Sequence, residues 1–151
     1  MNRYEQAGAF YDPLAASECP SRRVGWEDPG AHLFRIRALL STLGPLETFQ
    51  TVLDVGCGEG AALPVLEEAG FIGKYYGEDI LPRMVTAARQ AHPEAHFTAI
   101  DSFSSDNRPF YFGDHDRKDI TYMKAETSRN ADMWLIRDND YEYTYRRDFF
   151  E

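Results

Sequence analysis

The stretch TVLDVGCGEGAALPVL, Thr51 to Leu66, decides the fold. Its first five residues are apolar or β-branched except for Asp54, the pattern of a strand buried on both faces. Glycines at 56, 58 and 60 follow, and glycine lets a chain turn sharply and bring its backbone close to a ligand. Ala61 to Ala69 then reads as a helix stopped by Gly70, with Pro64 demanding a late start or a kink because it removes one donor from the ladder. Strand, glycine-rich turn and helix make a nucleotide-holding unit. The run GCGEGA also meets the loose G-x-G-x-x-G/A spacing of dinucleotide loops, so the turn alone leaves the ligand open.

Working outward, DPGAHLFRIRALLSTLGP carries a helix start at Asp28-Pro29 and a stop at Gly44-Pro45. Leu33, Ile36, Leu40 and Leu43 share one face of that helix, which therefore packs on a core. Downstream, KYYGEDI reads as a second strand, PRMVTAARQAH as a helix opening at Pro82, and AHFTAID as a third strand. The order is β-α-β-α-β, with connections long enough for right-handed parallel crossovers. After Asp101 the texture changes. Ser102 to Asp119 reads as a polar loop, ITYMKA and MWLI as short β-prone runs, and YEYTYRR as an alternating strand. RDND is turn chemistry between the last two runs, so a C-terminal hairpin is expected.

The totals set bounds on partners. With 151 residues, 43% hydrophobic, the chain suits one compact domain, divided into an N-terminal cap and helix (1–50), a cofactor-binding unit (51–101) and a loop with a β-rich tail (102–151). A formal charge of -9 opposes nucleic acid and anionic membranes, which need clustered Lys and Arg. Two cysteines, Cys19 and Cys57, give no disulfide framework and no metal site, and a cytoplasmic setting is the default expectation. No apolar run reaches the length of a signal-peptide core or a membrane span.

Charge narrows the ligand. Asp54 at the end of the first strand and Glu59 in the turn place negative charge where a dinucleotide would place its pyrophosphate, which disfavours NAD and FAD. A phosphate-free ligand with an amino group and a sulfonium, such as S-adenosyl-L-methionine, gains from the same charge. Asp54, Asp79 and Asp101 each end an expected parallel strand, and ligands of open α/β sheets bind outside those ends. Each Asp by itself could simply cap the turn that follows it.

On these residues the chain resembles the class I S-adenosylmethionine-dependent methyltransferases. VLDVGCGEG looks like their glycine loop, and YYGEDILPRMVTAAR is similar to their second strand and following helix. The resemblance implies a Rossmann-like, three-layer α/β fold with helices on both faces of a parallel sheet and a C-terminal antiparallel hairpin. It implies that Gly56, Cys57 and Gly58 lie against the methionine and ribose of S-adenosyl-L-methionine, with Asp54 orienting the amino end. Asp79 would take the ribose hydroxyls, Ile80 and Met84 would flank the adenine, and Asp101 with Ser102 would meet its exocyclic amine. FYDPLA resembles an N-terminal element that folds over the cofactor in some small-molecule methyltransferases, which puts Tyr11 at the methionine end, Arg22 or Arg23 at its carboxylate, and Trp26 at an acceptor wall or in ordinary packing.

The chain also departs from that family. Residues 102–151 are too few for the two further α/β units and hairpin of the usual seven-strand form. KDITYM is a stand-in for the fourth strand and MWLIRDNDYEYTYRR for the terminal hairpin. Leu81 stands where the family commonly has a helix-capping Ser. No catalytic residue is assigned; His115 sits in an acidic loop. The function expected is methyl transfer to a small-molecule acceptor. The alternatives are a non-catalytic S-adenosylmethionine-binding protein and, from the loose glycine spacing alone, an NAD or FAD oxidoreductase. An incomplete sheet exposes edges, so a homodimer is also an expectation.

Overall fold

The computed structural model describes residues 2–41, 45–101, 133–138 and 141–146, the last two stretches as backbone. Strands β1 (Thr51–Val55), β2 (Lys74–Asp79), β3 (His96–Ala99), β4 (Met133–Asp138) and β5 (Tyr141–Arg146) form one sheet in the order β3-β2-β1-β4-β5. β1 pairs in parallel with both β2 and β4, and β2 pairs in parallel with β3. β5 runs antiparallel to β4, with Met133 opposite Arg146 and Asp138 opposite Tyr141. The expected hairpin is present, and its first strand lies beside β1. KDITYM, read from the sequence as a stand-in for the fourth strand, falls outside the described residues.

Among the described residues, five α-helices accompany the sheet: α1 (Arg3–Tyr11), α2 (Pro20–Arg23), α3 (Pro29–Leu40), α4 (Ala62–Glu68) and α5 (Pro82–Ala91). α1 begins with a capping box in which the Asn2 side chain takes the Glu5 N–H and Glu5 takes the Asn2 N–H, both at 2.9 Å. This satisfies two amides that a helix start leaves without partners. α3 starts as expected, with Asp28 Oδ1 accepting from the Gly30 N–H at 2.8 Å. α4 opens at Ala62, which leaves Pro64 in the first turn, where its missing N–H costs nothing. α5 starts at Pro82 on a Leu81 cap that makes no side-chain bond.

The core is one cluster. Ile36 and Leu40 of α3, Ala62, Val65 and Leu66 of α4, Val85 and Ala88 of α5 meet Val52, Tyr75 and Phe97 from three strands. β1 is the centre: Val52, Leu53 and Asp54 have no exposed surface. Burial on this scale removes apolar area worth roughly 25 cal/mol per Å² from water, and it holds the C-terminal ends of β1, β2 and β3 in one row. No described helix is long and apolar enough to cross a membrane.

Candidate functional site

The site grows from the turn after β1. Gly56, Gly58 and Gly60 have φ of 76°, 56° and 83°, a region other residues enter only at a cost. The Gly56 and Cys57 N–H groups donate to the Glu78 carbonyl of β2 at 2.8 and 3.0 Å, and the Gly60 N–H closes on the Cys57 carbonyl at 2.9 Å. Gly60 is also backed from behind. A Cβ there would stand 2.8 Å from His92 and 3.2 Å from Phe97.

Asp79, at the tip of β2, ties this turn to the next helix. Its Oδ2 accepts the Gly58 N–H at 2.9 Å and its Oδ1 accepts the Leu81 N–H at 2.9 Å. Asp79 thus satisfies the amide of the N-cap residue itself, while the Met84 N–H closes on the Leu81 carbonyl at 3.0 Å. Leu81 itself is buried, 3% exposed, and serves the interior. Asp54 lies beneath the turn, wholly buried, where the Tyr75 hydroxyl donates to its Oδ2.

The N-terminal segment lies across these strand ends. Arg3 of α1 pairs with Asp101, past the end of β3, at 3.5 Å. Arg83 at the start of α5 donates to Asp12 at 3.1 Å and to the Tyr11 carbonyl at 2.6 Å. Arg23 of α2 grips Glu59 with a fork, Nε at 2.8 Å and 3.1 Å from the two carboxylate oxygens and Nη2 at 2.7 Å from Oε2. Its Nη1 donates to the Ser17 and Glu18 carbonyls at 3.1 and 3.2 Å. The hydrogen bond to Glu59 raises the Arg23 pKa above its ordinary value against the opposing effect of burial. A cation with a raised pKa contributes stability that is present below its unfolded value and is lost only as pH rises through the higher folded value. The arginine end of this pair therefore stays charged across the range in which proteins are handled.

Trp26 stacks on His32 with ring centres 5.2 Å apart, and the Arg35 guanidinium lies 5.0 Å over the same indole. His32 is buried and shares a 3.1 Å hydrogen bond between its Nδ1 and Ser21 Oγ. This cluster fastens α2 to α3. Trp26 has neighbours enough to account for it as packing.

The structure ties Gly58 directly to Asp79, ties Gly56 and Cys57 to the Glu78 carbonyl next to it, and ties Asp54 to Tyr75 of the same strand. Asp101 is linked to α1, and Tyr11 to α5 through its carbonyl. Ile80 follows Asp79, half-buried, and Met84 is buried beneath Arg83, whose Nη1 approaches its sulfur at 3.5 Å. The Cys57 thiol is turned inward, since a Cβ on Gly77 would stand 2.9 Å from it. Ser102 and His115 lie outside the described residues. The charge reading of the loop changes in its terms, because Asp54 is sealed from solvent and Glu59 is matched by Arg23. Sequence reasoning missed Arg83, Tyr75 and the Arg23 partner. An Arg and a Glu 36 positions apart carry no periodic signal that would join them.

A family model described as a methyltransferase domain matches residues 30–138. No curated protein matches the chain. Among solved structures, phosphoethanolamine N-methyltransferase 1 of Haemonchus contortus, in complex with phosphoethanolamine and S-adenosylhomocysteine, superimposes with TM-score 0.51 at 16% identity, covering 66% of this chain and 22% of its own. Magnesium protoporphyrin IX methyltransferase of Synechocystis PCC 6803, with SAM bound, gives TM-score 0.50 at 18% identity over 98% of this chain and 82% of its own. A plantazolicin methyltransferase in complex with a desmethyl analogue and SAH gives TM-score 0.50 at 14% identity over 88% of this chain and 55% of its own. The present chain thus spans about a fifth of the first of these proteins and about half of the third. At such identities the superpositions establish a shared Rossmann-like fold. With the family model covering more than two thirds of its residues, the chain belongs to the methyltransferase-domain family.

Proposed function

We propose that the protein binds S-adenosyl-L-methionine at the ends of β1, β2 and β3 and transfers its methyl group to a small-molecule acceptor. The observation that carries this reading is Asp79. Its carboxylate ends β2, is half-buried and is held by the Gly58 amide, so an acceptor of ribose hydroxyls is fixed beside the glycine turn. The donor set fits the ligand: half-buried carboxylates at Asp79 and Asp101 suit hydroxyls and an amine, and the turn's glycines allow close approach. Gly56, Cys57 and Gly58 would contribute through their backbone. Ile80 and Met84 would border the adenine, Ser102 would stand next to Asp101 there, and Tyr11 would cover the methionine end. Asp54, from beneath the turn, would bear on the amino end. The cofactor supplies an electrophilic methyl on sulfur. The chain's part is to hold donor and acceptor in line and exclude water, which is where much of such a rate gain arises.

Calorimetric titration with S-adenosylmethionine, S-adenosylhomocysteine and NAD tests the cofactor. Binding of the first two and not of NAD is expected, and tight NAD binding overturns the reading. Asp79→Ala is expected to weaken S-adenosylhomocysteine at least tenfold, since a hydrogen bond to a charged group is worth about 1.5–3 kcal/mol; unchanged affinity removes Asp79 from the site.

A second reading, cofactor binding without catalysis, is favoured by the sheet, in which the strand beside β4 is the antiparallel β5 rather than a further parallel strand. Release of labelled methyl to a metabolite pool separates the two. Self-association through the exposed residues of edge strand β3, His96, Thr98 and Ala99, belongs to the same proposal, and a monomer in sedimentation equilibrium excludes it.

A further inference from the structure

Among the described residues, Arg23 is the basic side chain whose fork closes on the glycine turn. Arginine–carboxylate forks of this kind are short, directional and stronger than neutral hydrogen bonds. All three guanidinium nitrogens are engaged, two kinds on Glu59 and the third on the Ser17 and Glu18 carbonyls. A ligand carboxylate would therefore have to compete with Glu59 for the Nε–Nη2 fork. The pair is sheltered, with side chains 25% and 12% exposed, so solvent screens it less than an ordinary surface pair. The next residue acts on the same turn: Val24 Cγ1 lies 3.1 Å from where a Cβ of Gly58 would be. Residues 23 and 24 thus press on Gly58 and Glu59 from one side, while Asp79 holds the Gly58 amide.

We propose that Arg23 is a positioning residue of this site, acting through Glu59: it fixes the shape of the glycine turn and cancels the carboxylate that would otherwise face the ligand's own carboxylate end. This rests on the cofactor reading above. It differs from a direct contact between Arg23 and the methionine carboxylate, because the arginine then matters only while Glu59 is present.

A double-mutant cycle separates the two. Arg23→Gln is expected to weaken S-adenosylhomocysteine at least tenfold in the native background and less than threefold in the Glu59→Gln background. An equal loss in both backgrounds, or no loss in either, overturns the proposal. Amide exchange across residues 56–60 provides a readout independent of ligand and is expected to quicken at least tenfold in Glu59→Gln with the melting temperature within a few degrees of native. Unchanged protection of those amides in Glu59→Gln overturns the proposal even where Arg23→Gln does not fold. Should the native chain not bind S-adenosylhomocysteine, the cofactor reading falls, and the exchange measurement still decides whether Arg23 and Glu59 hold the turn.

Discussion

Gly70 and Gly73 sit three residues apart and are glycines for different reasons. Gly70 has φ of 102°, ends the turn after α4, and a Cβ there would meet only Glu47 Oε2 at 3.5 Å. Its cost to any other residue is backbone strain, about 1–2 kcal/mol. A Cβ on Gly73 would stand 2.2 Å from the Gln50 carbonyl oxygen and 2.8 Å from that of Phe49. Those atoms cannot retreat freely, because the Gln50 carbonyl also accepts the Lys74 N–H at 2.8 Å where β2 begins beside β1. Gly73→Ala is therefore expected to destabilise the protein by about 3 kcal/mol or more, a larger loss than Gly70→Ala. Urea unfolding of both variants checks the order; equal midpoints would show that the β1–β2 entry yields more than this geometry allows.

At the scale of elements, α5 shows a helix that starts without a side-chain cap and has a buried leucine at that position. In the sequence, Leu81 looks like a lost cap, and Asp79 looks like a ligand group. In the fold, Asp79 Oδ1 supplies the bond to the Leu81 N–H while Leu81 is buried. Restoring a Ser at this position would gain a cap worth about 1 kcal/mol and lose burial of a leucine worth roughly 2–3 kcal/mol. Leu81→Ser is thus expected to lower stability by about 1–2 kcal/mol, measured as a fall in the urea midpoint; a gain would mean that the cap outweighs the core. The same comparison shows what was legible. β1, β2, β3 and α3 to α5 were readable because their signals are local: β-prone and apolar runs, Pro82, Asp28-Pro29 and Gly70. The sites of Asp79 and the glycine turn were readable because strand ends and left-handed glycines are marked in sequence. α1 and α2 were not, since their hydrophobic faces are weakly periodic and their docking depends on Arg83, Arg3 and Arg23 reaching distant carboxylates. The side of β1 on which Met133–Asp138 would pair was equally unreadable, because register between strands so far apart in sequence leaves no local mark.

For the molecule as a whole, that last pairing decides whether the cofactor unit can stand alone. β1 is bonded on one side to β2 and on the other to β4, from Val52 opposite Met133 to Val55 opposite Ile136. Its residues from Val52 to Val55 are at most 2% exposed. Apart from Asp54, which is buried against the Tyr75 hydroxyl, such a strand is apolar on both faces and has no proline to protect an edge, so it is stable only as an interior strand. A chain ending at residue 131 would turn β1 into an edge, losing one ladder of backbone hydrogen bonds and uncovering an apolar segment with strong β propensity. It is expected to lose the cooperative thermal transition of the full chain and to associate at micromolar concentration, although it keeps the whole glycine turn, Asp79 and Asp101. Near-ultraviolet circular dichroism and light scattering of the two chains, side by side, test this. A truncated chain that melts cooperatively and binds S-adenosylhomocysteine as tightly as the full one would show that β4 and β5 are dispensable to the site. The expected collapse would instead mean that the cofactor crevice exists only because the C-terminal hairpin returns to flank β1, at the point where the strand order reverses and ligands of such sheets bind.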